Sequence, residues 1–88
     1  MNESKINQLA DMIRETANLV HKYFKNGFLE KVYENSLRNR LRELGLKVDQ
    51  QASVPVVDED GSIVGDYIAD LIVEGMILVE LKAVKSIK

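Results

Sequence analysis

Apolar and polar residues follow two different periods along this chain. Over about residues 4–24, Ile6, Leu9, Ile13, Ala17, Val20 and Phe24 recur every three or four positions, which predicts an amphipathic helix. Met12, Leu19 and Tyr23 widen that stripe, so the helix is expected to touch more than one neighbour. Lys25-Asn26-Gly27 ends it with turn chemistry. A second helix is expected over about 28–44, with Gly45 as its C-terminal stop. At about 100° per residue, Tyr33, Leu37, Leu41 and Leu44 fall within about 60° of Glu30. Glu30 therefore lies on the apolar face. Lys31, Asn35, Arg38 and Arg42 line the other side as a polar, mostly basic stripe.

Beyond Gly45 the period drops to two. Leu46, Val48, Gln50, Ala52, Val54 and Val56 alternate with mostly polar residues, which predicts a strand over about 46–56. Pro55 places the end of that strand at a sheet edge or a bulge. Asp58-Glu59-Asp60-Gly61 reads as a turn; it lacks the length and the downstream ligands of a calcium loop. Two more strands are expected, over about 63–73 and 76–84. The order helix, helix, strand, strand, strand predicts an α+β domain spanning 1–88, two N-terminal helices packed on a three-stranded antiparallel meander.

Composition narrows the function classes. Eighty-eight residues suffice for one small core, and 45% hydrophobic with 30% charged residues is globular rather than disordered. With no cysteine, a disulfide framework and a thiolate zinc site are excluded, and the composition suits a cytoplasmic protein. No signal core or membrane-length apolar run is present. A net charge of -2 argues against passive nucleic-acid binding, which normally shows a basic excess. Action on nucleic acid then needs local cations or metal ions.

The chemistry concentrates in the last third. Asp70, Glu80 and Lys82 interrupt two apolar runs that meet at Glu74-Gly75, where an unpaired charge is costly. Glu80 and Lys82 are two apart in a strand and leave the same face. The turn decides whether Asp70 joins them. A two-residue loop sets Asp70 on the opposite face, whereas a three-residue loop through Met76, or a bulge, brings Asp70 and Glu80 together. If they converge, two carboxylates with waters make an oxygen-rich site for Mg2+ or Mn2+, with Glu30 as a further ligand and Lys82 beside the attacking water. The structural alternatives are a strand salt bridge for Glu80 and Lys82, backbone bonding for Asp70, and helix capping for Glu30. Lone His21, at the margin of an apolar stripe, reads as packed. The basic stripe reads most simply as a solvated face and alternatively as phosphate contacts from Lys31, Arg38 and Arg42.

The motifs resemble a known family. Gly27-Phe28-Leu29-Glu30-Lys31-Val32-Tyr33 matches the signature of the GxxExxY proteins through Gly27, Glu30 and Tyr33. Leu44-Gly45-Leu46-Lys47-Val48, Gln51, Val54-Pro55-Val56, Gly65-Asp66-Tyr67-Ile68-Ala69-Asp70 and Val79-Glu80-Leu81-Lys82-Ala83-Val84 follow in the family's order. The resemblance implies a partial PD-(D/E)XK nuclease-like core and metal-dependent hydrolysis of phosphodiester bonds. It also implies Asp70 as the metal-binding aspartate, Glu80 and Lys82 as the (D/E)-x-K pair, and Glu30 as the helix glutamate. Family members continue past the position of Lys88 with a helix and a further strand, so a C-terminally truncated form is expected. A third strand apolar on both faces is then an edge that pairs with another copy, as a homodimer or higher oligomer. The competing readings are an inactive domain acting through self-association and a nucleic-acid-binding module without catalysis.

Overall fold

The computed structural model describes residues 3–81. Two helices, α1 (Glu3–Phe24) and α2 (Glu30–Glu43), precede three strands, β1 (Val48–Val57), β2 (Ile63–Val73) and β3 (Ile77–Val79). The strands form one antiparallel sheet in the order β1-β2-β3. The α+β arrangement expected from the two periods is the one observed.

α1 packs on α2, and α2 in turn lies on β1 and β2. Leu9, Ile13 and Val20 of α1 meet Tyr33, Leu37 and Leu41 of α2 over Val48, Leu71 and Val73. Leu37, Leu41, Leu71 and Val73 are fully enclosed. Burying four side chains of this size contributes about 1.5–3 kcal/mol each, so the core sits at the α2–sheet contact. Leu19 and Tyr23 are exposed, contrary to the expectation that they meet a second neighbour. Thr16 takes the buried place between Ile13 and Val20, and its hydroxyl donates to the Met12 carbonyl at 2.7 Å, which satisfies it.

The helix junction is built from the predicted turn. Lys25 and Gly27 both hold positive φ. The Tyr33 hydroxyl donates to the Lys25 carbonyl at 2.6 Å and accepts the Phe28 amide at 3.3 Å. The His21 ring stacks on Tyr33 with centroids 5.2 Å apart, but the residue is exposed rather than packed inside as expected. α2 begins at Glu30, after an extended Leu29 (φ -67°, ψ 152°), two residues later than expected. It ends in a Schellman motif, with Gly45 at φ +89°, its amide on the Arg42 carbonyl and the Leu46 amide on the Leu41 carbonyl.

β1 is an edge strand, which is where Pro55 is tolerated, and the register shifts between Val56 and Val57. The acidic tip is a turn: Asp58 and Asp60 spend their carboxylates on Glu59 and Ser62, and Gly61 supplies φ +91°. The outer half of the β1–β2 hairpin projects past the helices, leaving Val56, Val57, Ile63, Val64 and Ile68 exposed. The radius of gyration, 14.8 Å, accordingly exceeds the about 12 Å of a compact chain of this length. No helix among the described residues is long and apolar enough to cross a membrane.

Candidate active site

The turn between β2 and β3 settles the register. Glu74 and Gly75 both adopt positive φ, and the Met76 amide donates to the Val73 carbonyl at 3.0 Å. The Glu74 carboxylate accepts the Lys47 amide at 2.6 Å, tying the turn to the start of β1. Val73 then faces Ile77, Ile72 faces Leu78 and Leu71 faces Val79. The connection is the three-residue loop through Met76, and the next pair in that register is Asp70 opposite Glu80. On β2, Ala69, Leu71 and Val73 are buried beneath the helices while Asp70 and Ile72 alternate with them on the open face.

Asp70 and Glu80 interlock. The Asp70 amide donates to Glu80 Oε2 at 3.2 Å, and the Leu81 amide donates to Asp70 Oδ2 at 2.8 Å. Here each carboxylate replaces a backbone carbonyl as acceptor. With that substitution β3 spans only Ile77–Val79 among the described residues, shorter than the 76–84 expected, of which 82–84 lie outside the described residues. Tyr67 joins the pair: its bond to the Glu80 carboxylate, its desolvation and the charges of Glu80 and Asp70 all raise its phenol above 10.0.

A third carboxylate approaches from α2, and it is not the expected one. Glu34 is only 2% exposed. Its Oε2 accepts from the side-chain amides of Gln50 and Gln51, the latter at 3.0 Å, and from Lys31 Nζ at 3.1 Å. Burial pushes the Glu34 carboxyl up, but these three donors and the Lys31 charge outweigh it and hold the group below 4.5. Gln51 Nε2 also lies 3.4 Å from Asp70 Oδ1, so one carboxamide spans Glu34 and Asp70. Gln50 Nε2 donates further to Asn35 Oδ1 at 2.8 Å, and Arg38 donates to both Gln50 Oε1 and Asn35 Oδ1. Glu34 was legible in the sequence: it stands seven residues before Leu41, about 20° from it on the helix.

Of the residues singled out from sequence, Asp70 and Glu80 come together. Glu30 opens α2 and is exposed, in the first turn where a carboxylate complements the helix dipole. Lys82 lies outside the described residues. Gly27 and Tyr33 of the signature hold the α1–α2 junction. The basic stripe is exposed at Lys31 and Arg42, yet all three cations are engaged: Arg42 donates to the Val48 carbonyl at 2.7 Å, Arg38 to Gln50 and Lys31 to Glu34. A shallow groove of about 620 Å³ lined by Phe24, Val32, Asn39, Arg40 and Glu43 shares only Asn35 with this network.

Among the described residues, no three His, Cys, Asp or Glu side chains gather as a ready-made cation cage. What the sheet offers is two carboxylates, each with one oxygen held by a backbone amide. That donor set fits a hard divalent cation of the kind that keeps several waters and needs only one or two carboxylates beside substrate phosphates.

No curated protein and no solved structure matches this chain. A family model described as the PD-(D/E)XK nuclease superfamily matches residues 7–88, nearly the full length, and so takes in both helices, the sheet and the Asp70–Glu80 pair. The chain belongs to the PD-(D/E)XK nuclease superfamily.

Proposed function

We propose that this protein is a GxxExxY-type nuclease that hydrolyses phosphodiester bonds of nucleic acid with a divalent cation, Mg2+ or Mn2+. The observation that supports it best is the register of the β2–β3 hairpin, which sets Asp70 opposite Glu80 with their groups hydrogen-bonded across the pair. Asp70 and Glu80 are the proposed metal-binding carboxylates. A cation bound there lowers the pKa of a bound water and neutralises charge on the scissile phosphate. Lys82, two residues past Glu80 in the (D/E)-x-K pattern, supplies an ammonium for the attacking water or the developing charge. Glu30 is the helix carboxylate that the signature proposes, although Glu34 is the one joined to Asp70 through Gln51, and Lys31, Arg38 and Arg42 are the proposed phosphate contacts.

The test is incubation of supercoiled plasmid, single-stranded DNA and RNA with purified protein and excess Mg2+ or Mn2+. Cleavage that disappears with chelator and in both Asp70→Ala and Glu80→Ala supports the proposal. Cleavage indifferent to either substitution refutes it.

A second reading is an inactive domain that acts through self-association, and the exposed apolar residues favour it. Leu78 of β3, together with Val56, Val57, Ile63, Val64 and Ile68 of the hairpin, offers apolar surface that a second copy covers. In this reading the outer edge of β3 carries the homodimer. Light scattering at micromolar concentration separates the cases: a monomer removes this reading.

A further inference from the structure

Gln51 stands out within the sheet. Gln50 pairs with Leu71 and Ala52 with Ala69, yet the pair between them, Gln51 with Asp70, is missing from the ladder. The Gln51 backbone has φ +50°, in the left-handed region that a strand residue avoids. The other described non-glycine residues with positive φ, Lys25 and Glu74, sit in turns; Gln51 alone sits inside a strand. Such a conformation persists only where the surroundings over-determine it.

What over-determines it is the side chain. Gln51 Nε2 donates to Glu34 Oε2 at 3.0 Å and lies 3.4 Å from Asp70 Oδ1. Glu34 is itself fixed by Gln50 and Lys31, and Gln50 by Arg38 and Asn35. Asp70 Oδ2 is held from the other side by the Leu81 amide at 2.8 Å. The carboxylate of Asp70 is therefore held on both oxygens, once by the Leu81 amide just past Glu80 and once by Gln51.

We infer that Gln51 is a positioning residue: its left-handed backbone aims one carboxamide between Glu34 and Asp70, so that helix α2 sets the orientation of the Asp70 carboxylate. The inference rests on Asp70 serving as a metal-binding group. A purely structural role needs only the bond to Glu34; the positioning role needs the contact with Asp70 as well.

Two variants test it. Gln51→Gly removes the carboxamide and relieves the backbone, and Gln51→Asn tolerates left-handed φ but is one methylene too short to span both carboxylates. Two readouts are taken on full-length protein: the metal-free 13Cγ resonance of Asp70 by NMR, and Mn2+ affinity by calorimetry. Thermal melting identifies the variant that stays folded, and that one is read. The expected result is a moved Asp70 resonance and an Mn2+ Kd raised about tenfold or more, as for other groups that orient a metal ligand. An Asp70 resonance identical to wild type overturns the inference, whatever the metal does. So does an unchanged Kd in a variant when the wild type binds Mn2+. A wild type that binds no Mn2+ defeats the nuclease reading itself, and the inference falls with it.

Discussion

Glu34→Gln removes a charge from the best-enclosed polar position in the molecule while keeping its shape. The wild-type carboxylate accepts from Gln50, Gln51 and Lys31. A hydrogen bond to a charged acceptor contributes about 1.5–3 kcal/mol net. Glutamine keeps one carbonyl oxygen but loses the charge, and its own amino group meets two amide donors that need an acceptor. Lys31 is 55% exposed, so its ion pair counts for only a few tenths of a kcal/mol, on the order of a surface pair. The expected loss is about 2–3 kcal/mol at pH 7, against a total of about 4–13 kcal/mol for a domain of this size. That corresponds to a fall of roughly 8–24 °C in Tm. The dependence on pH has a definite sign. Because the folded carboxyl titrates below the ordinary 4.5, its contribution is complete above that value and is lost as pH falls through the folded pKa. The wild-type advantage should therefore shrink on going from pH 7 to below 4. Urea unfolding followed by far-ultraviolet circular dichroism at both pH values measures it. Equal midpoints at pH 7, or a gap that does not narrow in acid, would refute the account of Glu34.

Other expectations are simpler. Leu37→Ala, at a position with no exposure at the α2–sheet contact, should cost about 2–5 kcal/mol in the same unfolding experiment. Tyr33→Phe should cost about 1–2 kcal/mol by stranding the Lys25 carbonyl and the Phe28 amide, and hydrogen exchange at Phe28 should quicken. Tyr67 should ionise above 10.0 by 13C NMR, and Glu80→Gln should bring it down; an unmoved titration would dissociate Tyr67 from the Glu80 carboxylate.

Most of the fold was legible because period and punctuation agreed. The three- and four-residue spacing gave both helices, alternation gave the strands, Gly45 marked the end of α2, and Pro55 marked an edge strand. Leu19 and Tyr23 were misplaced because an apolar stripe records how much surface is greasy, not how many partners cover it. In the described residues α1 leans on α2, and Tyr23 lies instead against Phe24 and beneath Arg40. The hairpin register was undecidable from Glu74-Gly75 alone, since both loop lengths suit that dipeptide. It was fixed by backbone conformation and by a tie to Lys47, far away in sequence. Asp70 and Glu80 could therefore be named as candidates but not placed. Glu34 was passed over although its helical position lay in the apolar stripe. Two of its hydrogen-bond donors, Gln50 and Gln51, come from a strand whose alignment with α2 no local pattern reveals. The basic stripe is exposed at Lys31 and Arg42, as expected, but for the same reason its ties to β1 were not legible: Arg38 and Arg42 find their acceptors there.

Whether Asp70 and Glu80 together hold a divalent cation is the claim on which the functional account stands. Anomalous scattering from crystals grown with Mn2+ tests it most directly. The account predicts a single strong anomalous peak between the Asp70 and Glu80 carboxylates, absent in Asp70→Ala. A peak elsewhere on the molecule, or none at saturating Mn2+, would contradict it.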